Sequence, residues 1–253
     1  MMPMKLLDPR PRLKVLGSAA LDWLYPSACG VCNEIQARGS TLCVDCDALL
    51  PRLIHPFCSR CGEHFEGKID DSFVCPNCSD LKFAFSFARP AMMLDDRTRA
   101  MIHRLKYGRG IHLAGSLGRL TAEAFEDPRL AVALEEKWPL VPVPLHSRRF
   151  AWRHFNQAEE IGRSLAGHTG LPLLNGLKRV RATTAQTRLT RVRRLENLKG
   201  AFAMTRAGGR WPEKKGAVLV DDVLTTGSTL DACAKVLRKA GFKDVVAVAV
   251  MRG

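Results

Sequence analysis

The stretch Gly216-Ala-Val-Leu-Val-Asp-Asp-Val-Leu-Thr-Thr-Gly-Ser-Thr-Leu230 decides how this chain is read. Ala217 to Val220 is a short apolar run rich in β-branched residues, which predicts a buried strand of a parallel sheet. Asp221 and Asp222 stand where that strand ends. Thr225-Thr226-Gly227-Ser228-Thr229 is a small, hydroxyl-bearing turn, and it leads into Leu230–Ala240, where Ala234, Leu237 and Ala240 suit the apolar side of a helix.

A strand, a tight turn and a helix start make a ready anion site. The first amides of a helix lack carbonyl partners, and the dipole adds partial positive charge there. Gly227 lets the backbone approach closely, and the Thr and Ser hydroxyls add donors. Two carboxylates repel a phosphate, so they call for hydroxyls or a cation instead. A sugar phosphate supplies both partners. The pattern resembles the phosphoribosyl-diphosphate (PRPP) motif of type I phosphoribosyltransferases. The plainer alternatives are a Walker-B-like strand and a strand–turn–helix with ordinary N-capping. No G-x-x-x-x-G-K-[ST] occurs in the chain, which argues against a P-loop nucleotidase.

The 253 residues are 46% hydrophobic, enough for a substantial core in one large domain or two smaller ones. No run approaches the ~18 apolar residues that would cross a bilayer. Val15–Leu21 follows basic residues in the manner of a weak signal peptide. Asp22 and Trp23 interrupt it, so Leu13–Leu24 reads as a short amphipathic helix and the protein as cytoplasmic, without membrane insertion. The net charge of +14 is uneven: residues 1–80 carry 8 Lys/Arg against 10 Asp/Glu, and residues 81–253 carry 31 against 15. The basic second segment calls for an anionic partner: a phosphorylated sugar, a nucleotide or a nucleic acid.

Eight of the nine cysteines fall into C-x-x-C pairs: Cys29/Cys32, Cys43/Cys46, Cys58/Cys61 and Cys75/Cys78. A disulfide framework needs a secreted context that the rest of the chain does not support. Redox C-x-x-C motifs occur singly, not four times in fifty residues. Four knuckles of this spacing fit two structural Zn²⁺ ions, each held by four thiolates. The simplest pairing is sequential, 29/32/43/46 and 58/61/75/78, although spacing alone leaves a crossed pairing open. Closed all-cysteine sites staple a segment that lacks a core of its own. His55 and His64 are then unneeded as ligands. The predicted organisation is a helical segment over 1–25, a double zinc ribbon over 26–80 and an α/β domain over 81–253.

Along the rest of the chain, Lys82–Met93 predicts one or two strands and Asp95–Leu105 a helix. Lys106-Tyr107-Gly108-Arg109-Gly110 reads as a glycine-broken basic turn, either solvated or facing phosphate. Leu113–Phe125 is helical. Leu140–Val143 is a strand that Pro142 and Pro144 push to a sheet edge. After it come His146, Ser147, Arg148 and Arg149, a loop whose guanidinium forks suit diphosphate oxygens. Glu159–Leu165 continues as a helix. Lys178–Lys199 is a basic run, either a solvated face or a loop that closes over a polyanion. It holds no aromatic residue, which weakens a base-stacking reading there. Ala201–Thr205 and Val245–Met251 are strands with Gly208–Lys215 a loop, and Cys233 is a small core residue.

With these pieces placed, the chain resembles the ComF family, phosphoribosyltransferase-like proteins linked to competence and DNA uptake, over nearly its whole length. The resemblance rests on Trp23-Leu-Tyr-Pro-Ser-Ala-Cys-Gly-Val-Cys32, Leu105-Lys-Tyr107, Val141-Pro-Val-Pro-Leu-His146, Phe155-Asn-Gln-Ala158, Gln186, Asn197-Leu-Lys-Gly-Ala-Phe202 and the Asp221–Thr229 loop. The family pattern usually reads Arg-Gly-Phe-Asn-Gln, and His154 takes the place of that glycine. The resemblance implies a type I phosphoribosyltransferase-like α/β fold, a largely parallel sheet flanked by helices, and displacement of diphosphate from C1 of PRPP. It further implies that Asp221 and Asp222 hold the ribose hydroxyls, directly or through Mg²⁺. Thr225, Thr226, Gly227, Ser228 and Thr229 would cradle the 5-phosphate. His146, Ser147, Arg148 and Arg149 would hold the diphosphate, with Lys106, Tyr107 and Gln186 also facing substrate.

Two functions of different classes follow. One is a transferase that passes a phosphoribosyl group to an acceptor. The other is a non-catalytic adaptor that senses nucleotides or binds single-stranded DNA, with the zinc ribbons docking a helicase or another competence protein.

Overall fold

The structure, a computed structural model, describes residues 28–36, 41–67, 73–107, 110–181 and 198–253. The helix expected over Leu13–Leu24, the Gly108-Arg109 dipeptide, Gln186 and most of the basic run between Lys178 and Lys199 lie outside the described residues. The chain falls into two units, Met1–Leu49 and Leu50–Gly253.

In the first unit, an antiparallel bridge joins Ala28 to Ile35. Asn33 turns the chain between them in the left-handed region, with φ 68°. A short helix, Val44–Ala48, carries the second cysteine pair.

The second unit is built on a four-stranded, all-parallel sheet. Its strands are β1 (Ala88–Met93), β2 (Leu140–Pro142), β5 (Gly216–Leu224) and β6 (Asp244–Arg252), in the spatial order β1-β6-β5-β2. β3 (Leu177–Arg179) and β4 (Phe202–Met204) form a separate antiparallel pair. Parallel strands covered on both faces need continuous apolar runs, and Val245–Met251 is buried throughout. β2 lies at the end of the sheet, where Pro142 and Pro144 interrupt no inner ladder.

The main helices of this unit are α1 (Asp96–Tyr107), α2 (Leu113–Ala122), α3 (Ser147–Arg153), α4 (Gln157–Thr169) and α5 (Ser228–Lys239). α5 buries Leu230, Cys233, Ala234 and Leu237, the i, i+3, i+4, i+7 stripe of an amphipathic helix. These residues join Ala217, Leu219, Ala247 and Ala249 in one core cluster. Side chains alternate along a strand, so Val218 and Val220 face the opposite layer. No helix among the described residues is long and apolar enough to cross a membrane.

The second cysteine region belongs to this unit. Leu53 N–H donates to Ala91 O (2.9 Å) and Met93 N–H to Pro51 O (2.8 Å), so residues 51–53 run antiparallel along the outer edge of β1. Gly62, at φ +68°, lets the knuckle press onto β1, since a Cβ there would stand 2.5 Å from Pro90 Cδ.

The structure moves several predicted boundaries. β5 continues to Leu224 rather than ending at the acids. Lys106 and Tyr107 form the last turn of α1, not a loop. Ser147–Arg149 is the first turn of α3, where a loop was expected, and Arg206–Gly209 is a short helix at the start of the expected loop. α3 ends at His154, which is left-handed at φ 65°, ψ 0°. A side chain there works against backbone sterics by about 1 kcal/mol. His154→Gly is therefore expected to stabilise the protein by up to about 1 kcal/mol, read as a raised urea midpoint at unchanged slope.

Candidate functional site

β2 and β5 part company just before the acids. The last bond between them is Val143 N–H to Val220 O, 2.9 Å, whereas β5 stays paired with β6 through Leu224. From Asp221 onward one edge of β5 is open, at the carboxyl end of the strands where α/β sheets bind ligands. Gly227 then turns the chain at φ 75°, ψ −3° and caps α5 without a side-chain bond. The unpaired N–H groups of the first helical turn therefore face the loop. Thr226 Oγ1 and Ser228 Oγ share a hydrogen bond of 3.0 Å. The concavity lined by Asp221 and Val223–Leu230 is only about 20 Å³. That is the room of roughly one water-sized group.

The acids look to opposite faces of the sheet. Asp222 is buried, and its Oδ2 lies 2.8 Å from Lys106 Nζ on α1. The ammonium sits out of line for a hydrogen bond, so Oδ2 has no hydrogen-bond partner. Asp221 faces the α5 layer and accepts the Asp222 N–H at 2.9 Å. Burial first, and the Asp222 charge second, push its carboxyl up to about 8, against the pull of that N–H and of Lys106. Arg179, on β3, is within electrostatic reach of Asp221 and of Arg149. Its own pKa is lowered by burial and then by the Arg149 charge.

His146 caps α3, its Nδ1 accepting the Arg148 N–H at 3.2 Å. Ser147, Arg148 and Arg149 are exposed on the first turn. The Phe155-Asn-Gln-Ala158 segment has a local cause. Asn156 donates from Nδ2 to Val143 O (3.1 Å) and accepts the Ala158 N–H (3.3 Å), tying the end of β2 to the start of α4. Tyr107 meets Trp152 at 5.6 Å between ring centroids, with the Arg153 guanidinium 5.0 Å from the Tyr107 ring. Phe150, Trp152 and Tyr107 are all largely exposed. Among the predicted residues, then, Lys106 joins the acids and Tyr107 joins α3, while Gln186 lies outside the described residues. Arg179 and Asn156 stood in the quoted stretches without a role of their own. A larger cleft of about 820 Å³ lies between Arg52–Ser59, Arg89–Ala91 and Glu123–Arg129. Ion pairs cross its walls, Arg52 with Glu123 at 3.0 Å and Arg129 with Asp127 at 2.7 Å.

The cysteines gather in sequential pairs: Cys29, Cys32, Cys43 and Cys46 in one cluster, and Cys58, Cys61, Cys75 and Cys78 in the other. Within each cluster all sulfurs lie within 4.8 Å of one another. Four sulfurs 2.3 Å from one tetrahedral ion would be roughly 3.8 Å apart. Cys32 and Cys43 Sγ stand at 3.8 Å and Cys61 and Cys75 Sγ at 3.7 Å. Backbone N–H groups aim at the sulfurs, Cys46 to Cys43 and Cys75 to Cys58, both at 3.3 Å. In the second cluster, hydrogen bonds from Cys61 and Cys78 hold the Cys58 thiol far below its ordinary range, while the bond to Cys58 pushes Cys61 up to about 12. Thiolates packed this closely repel one another, a conflict that a divalent cation would remove. The donor set fits structural zinc. The second cluster is wholly buried beneath Phe65, Phe73 and Phe83, and the first exposes Cys32.

A family match covers both cysteine clusters. The double zinc ribbon domain family matches residues 20–79. Competence protein F of Haemophilus influenzae is 31% identical over 216 residues, covering 84% of this chain and 91% of that one. DNA utilization protein YhgH of Salmonella typhimurium is 31% identical over 220 residues (86% of each), and competence protein ComFC of Streptococcus pneumoniae 26% over 215 (84% and 88%). Among solved structures, phosphoribosylpyrophosphate synthetase from Mycobacterium smegmatis matches with a TM-score of 0.32 at 16% identity, over 54% of this chain and 33% of that one. The allosteric regulatory enzyme of purine biosynthesis matches with a TM-score of 0.36 at 19% identity, over 59% and 30%. A zinc-ribbon match at one end, an acid pair and uncapped loop at the other, and a relative of nearly one-third identity spanning both make the chain a member of the competence protein F (ComF) family.

Proposed function

We propose that this protein binds PRPP with Mg²⁺ in the cytoplasm and transfers its phosphoribosyl group to an acceptor, releasing diphosphate, in the service of DNA uptake. The observation that carries this reading is the acid pair at the open edge of β5, followed at once by the uncapped start of α5. The competence and DNA-utilization names of the relatives support the physiological setting.

In this reading the first-turn amides of α5, with the Thr225, Thr226, Ser228 and Thr229 hydroxyls, hold the 5-phosphate. The small concavity admits one phosphate oxygen, and the rest lies at the rim. Asp221 and Asp222 take the ribose hydroxyls from the two sides of the strand end. His146, Ser147, Arg148 and Arg149 face the diphosphate from the start of α3. The bond from C1 to the diphosphate oxygen breaks, its electron pair leaves with the diphosphate, and an acceptor lone pair forms the new bond at C1. Nearby carboxylates favour the positive charge that develops on the sugar, and one well-placed donor to the departing oxygens is worth roughly 3 kcal/mol. Magnesium, when bound, supplies positive charge against the leaving group. Calorimetry with PRPP and Mg²⁺, beside an assay for diphosphate release, tests the proposal. Absence of PRPP binding would defeat it.

The raised Asp221 pKa gives the binding a pH dependence. The ligand-free carboxyl keeps its proton to about pH 8 and must lose it to meet the ribose or its cation. Affinity should thus rise about fivefold from pH 7 to 8 and level off near 9. This range lies above the phosphate's own titration near 6. Asp221→Asn should remove the slope from whatever binding remains.

A second reading has its own observation. Exposed Tyr107, Phe150 and Trp152, interleaved with Arg148, Arg149 and Arg153, form the kind of stacking and cationic surface that unpaired bases occupy. A single-stranded-DNA adaptor whose ribbons dock a helicase would use it. Its signature is DNA binding that weakens steeply with salt without diphosphate release.

A further inference from the structure

We propose that the second zinc ribbon sets the shape of the phosphate loop, with Phe83 as the positioning residue between them. The inference rests on the phosphate-loop reading above for its ligand, and on contacts alone for its mechanics.

The exit of the loop is held by groups from residues 83–85, and its entry by the chain end at Arg252 and Gly253, which reaches the second ribbon through Glu63. At the entry, Leu224 O accepts from Arg252 Nη1 (3.1 Å) and from Gly253 N–H (2.9 Å). Arg252 in turn forms an ion pair with Glu63, inside the knuckle between Cys61 and Cys75. At the exit, the rings of Phe83 and Phe85 occupy the space beside Gly227. A Cβ on that glycine would stand 3.3 Å from Phe83 Cε1 and 3.5 Å from Phe85 Cζ. The two rings stack at 4.6 Å and 15°. One turn further on, Ala84 N–H donates to Asp231 Oδ1 at 2.8 Å, and Asp231 is almost fully buried.

Phe83 itself packs on the buried sulfur cluster, beside Phe65 and Phe73. Arg60 Nη1 donates to Leu81 O at 2.9 Å, fastening the knuckle to the segment that carries Phe83. A metal that fixes the four sulfurs thereby fixes Phe83, and Phe83 fixes the left-handed turn at Gly227. Gly227 is doubly constrained, by its positive φ and by the rings against it. A side chain could neither adopt that turn cheaply nor fit there without moving Phe83.

The test is Phe83→Ala in the full-length, zinc-loaded protein, with Phe83→Leu as the conservative companion. Zinc content should stay at two per chain. Affinity for ribose 5-phosphate, and for PRPP with Mg²⁺, should fall at least severalfold and up to about hundredfold, the order of loss that a ~1 Å misplacement can cause. Affinity for inorganic diphosphate, held from α3, should not change, and Phe83→Leu should recover most of the loss. Amide exchange over residues 224–231 should accelerate in Phe83→Ala and in chelator-treated wild type, and slow again when zinc is restored. Unchanged ribose 5-phosphate affinity with unchanged exchange would overturn the proposal, as would an equal loss of diphosphate binding. If wild type binds neither sugar phosphate, the phosphate-loop assignment fails. The exchange data then decide the coupling by themselves.

Discussion

Replacing Asp221 and Asp222 together with asparagine should abolish Mg²⁺-dependent PRPP binding while leaving two zinc ions per chain. The amide side chains keep the volume of the site but remove the two carboxyls that, in the proposed reading, meet the ribose and its cation. The double variant should give no heat with PRPP at concentrations that saturate wild type, and undiminished affinity would reject the assignment. Folding is expected to survive, because the two changes act in opposite directions. Asp222→Asn strands the Lys106 ammonium beside it, and that ammonium is already partly open to water. Asp221→Asn removes a carboxyl whose folded pKa of about 8 stands above its unfolded value near 3.9. Such a group favours the fold below about pH 4 and loses that advantage as pH rises through 8. Its removal is therefore stabilising in alkaline buffer, and melting curves at pH 6 and 9 should show the difference.

Replacing Cys75 and Cys78 with serine should have the largest effect on stability. One of the two zinc ions is expected to be lost, measurable as a zinc-to-protein ratio near one. Structural zinc sites contribute on the order of 10 kcal/mol to the folding of isolated fingers. The second knuckle also carries the residues that line the outer edge of β1 through Leu53 and Pro51. Without the metal that edge loses its cover, and an unpaired edge invites strands from other chains. The variant should aggregate on warming, with proteolytic cleavage appearing first between residues 54 and 83. A variant that keeps wild-type melting and two zinc ions would refute the assignment of this cluster as a structural site.

Much of the candidate site was legible in the sequence because its signals are local. An apolar run, two acids, a glycine between hydroxyl residues and an amphipathic stripe each state their geometry within four residues. The knuckles were legible for the same reason. Their sequential pairing was not, since spacing leaves the partner of each knuckle open and only the path of the chain decides it. β5 outran its expected end because β6 keeps pairing with it, Leu224 with Arg252, a partner encoded far along the chain. α3 was hidden because it buries no residue at all and so shows no apolar period. Its caps, His146 and the left-handed His154, define it instead. The family glycine at position 154 acquires a physical reason in that conformation. Phe83 was invisible as a positioning residue. Its alternation with Phe85 reads as strand, and nothing in the sequence says that a zinc knuckle and Gly227 lie on either side of it.

Neighbours in an extended chain answer to different masters, and the two carboxylates do so literally. Asp222 takes its environment from α1 through Lys106, whereas Asp221 takes its own from the layer of α5 and β3. The acidity of Asp221 can therefore be retuned from either layer, by its own burial or through the Asp222 and Lys106 charges across the strand. Distant substitutions can thus adjust how much charge the pair presents while both acids stay in place.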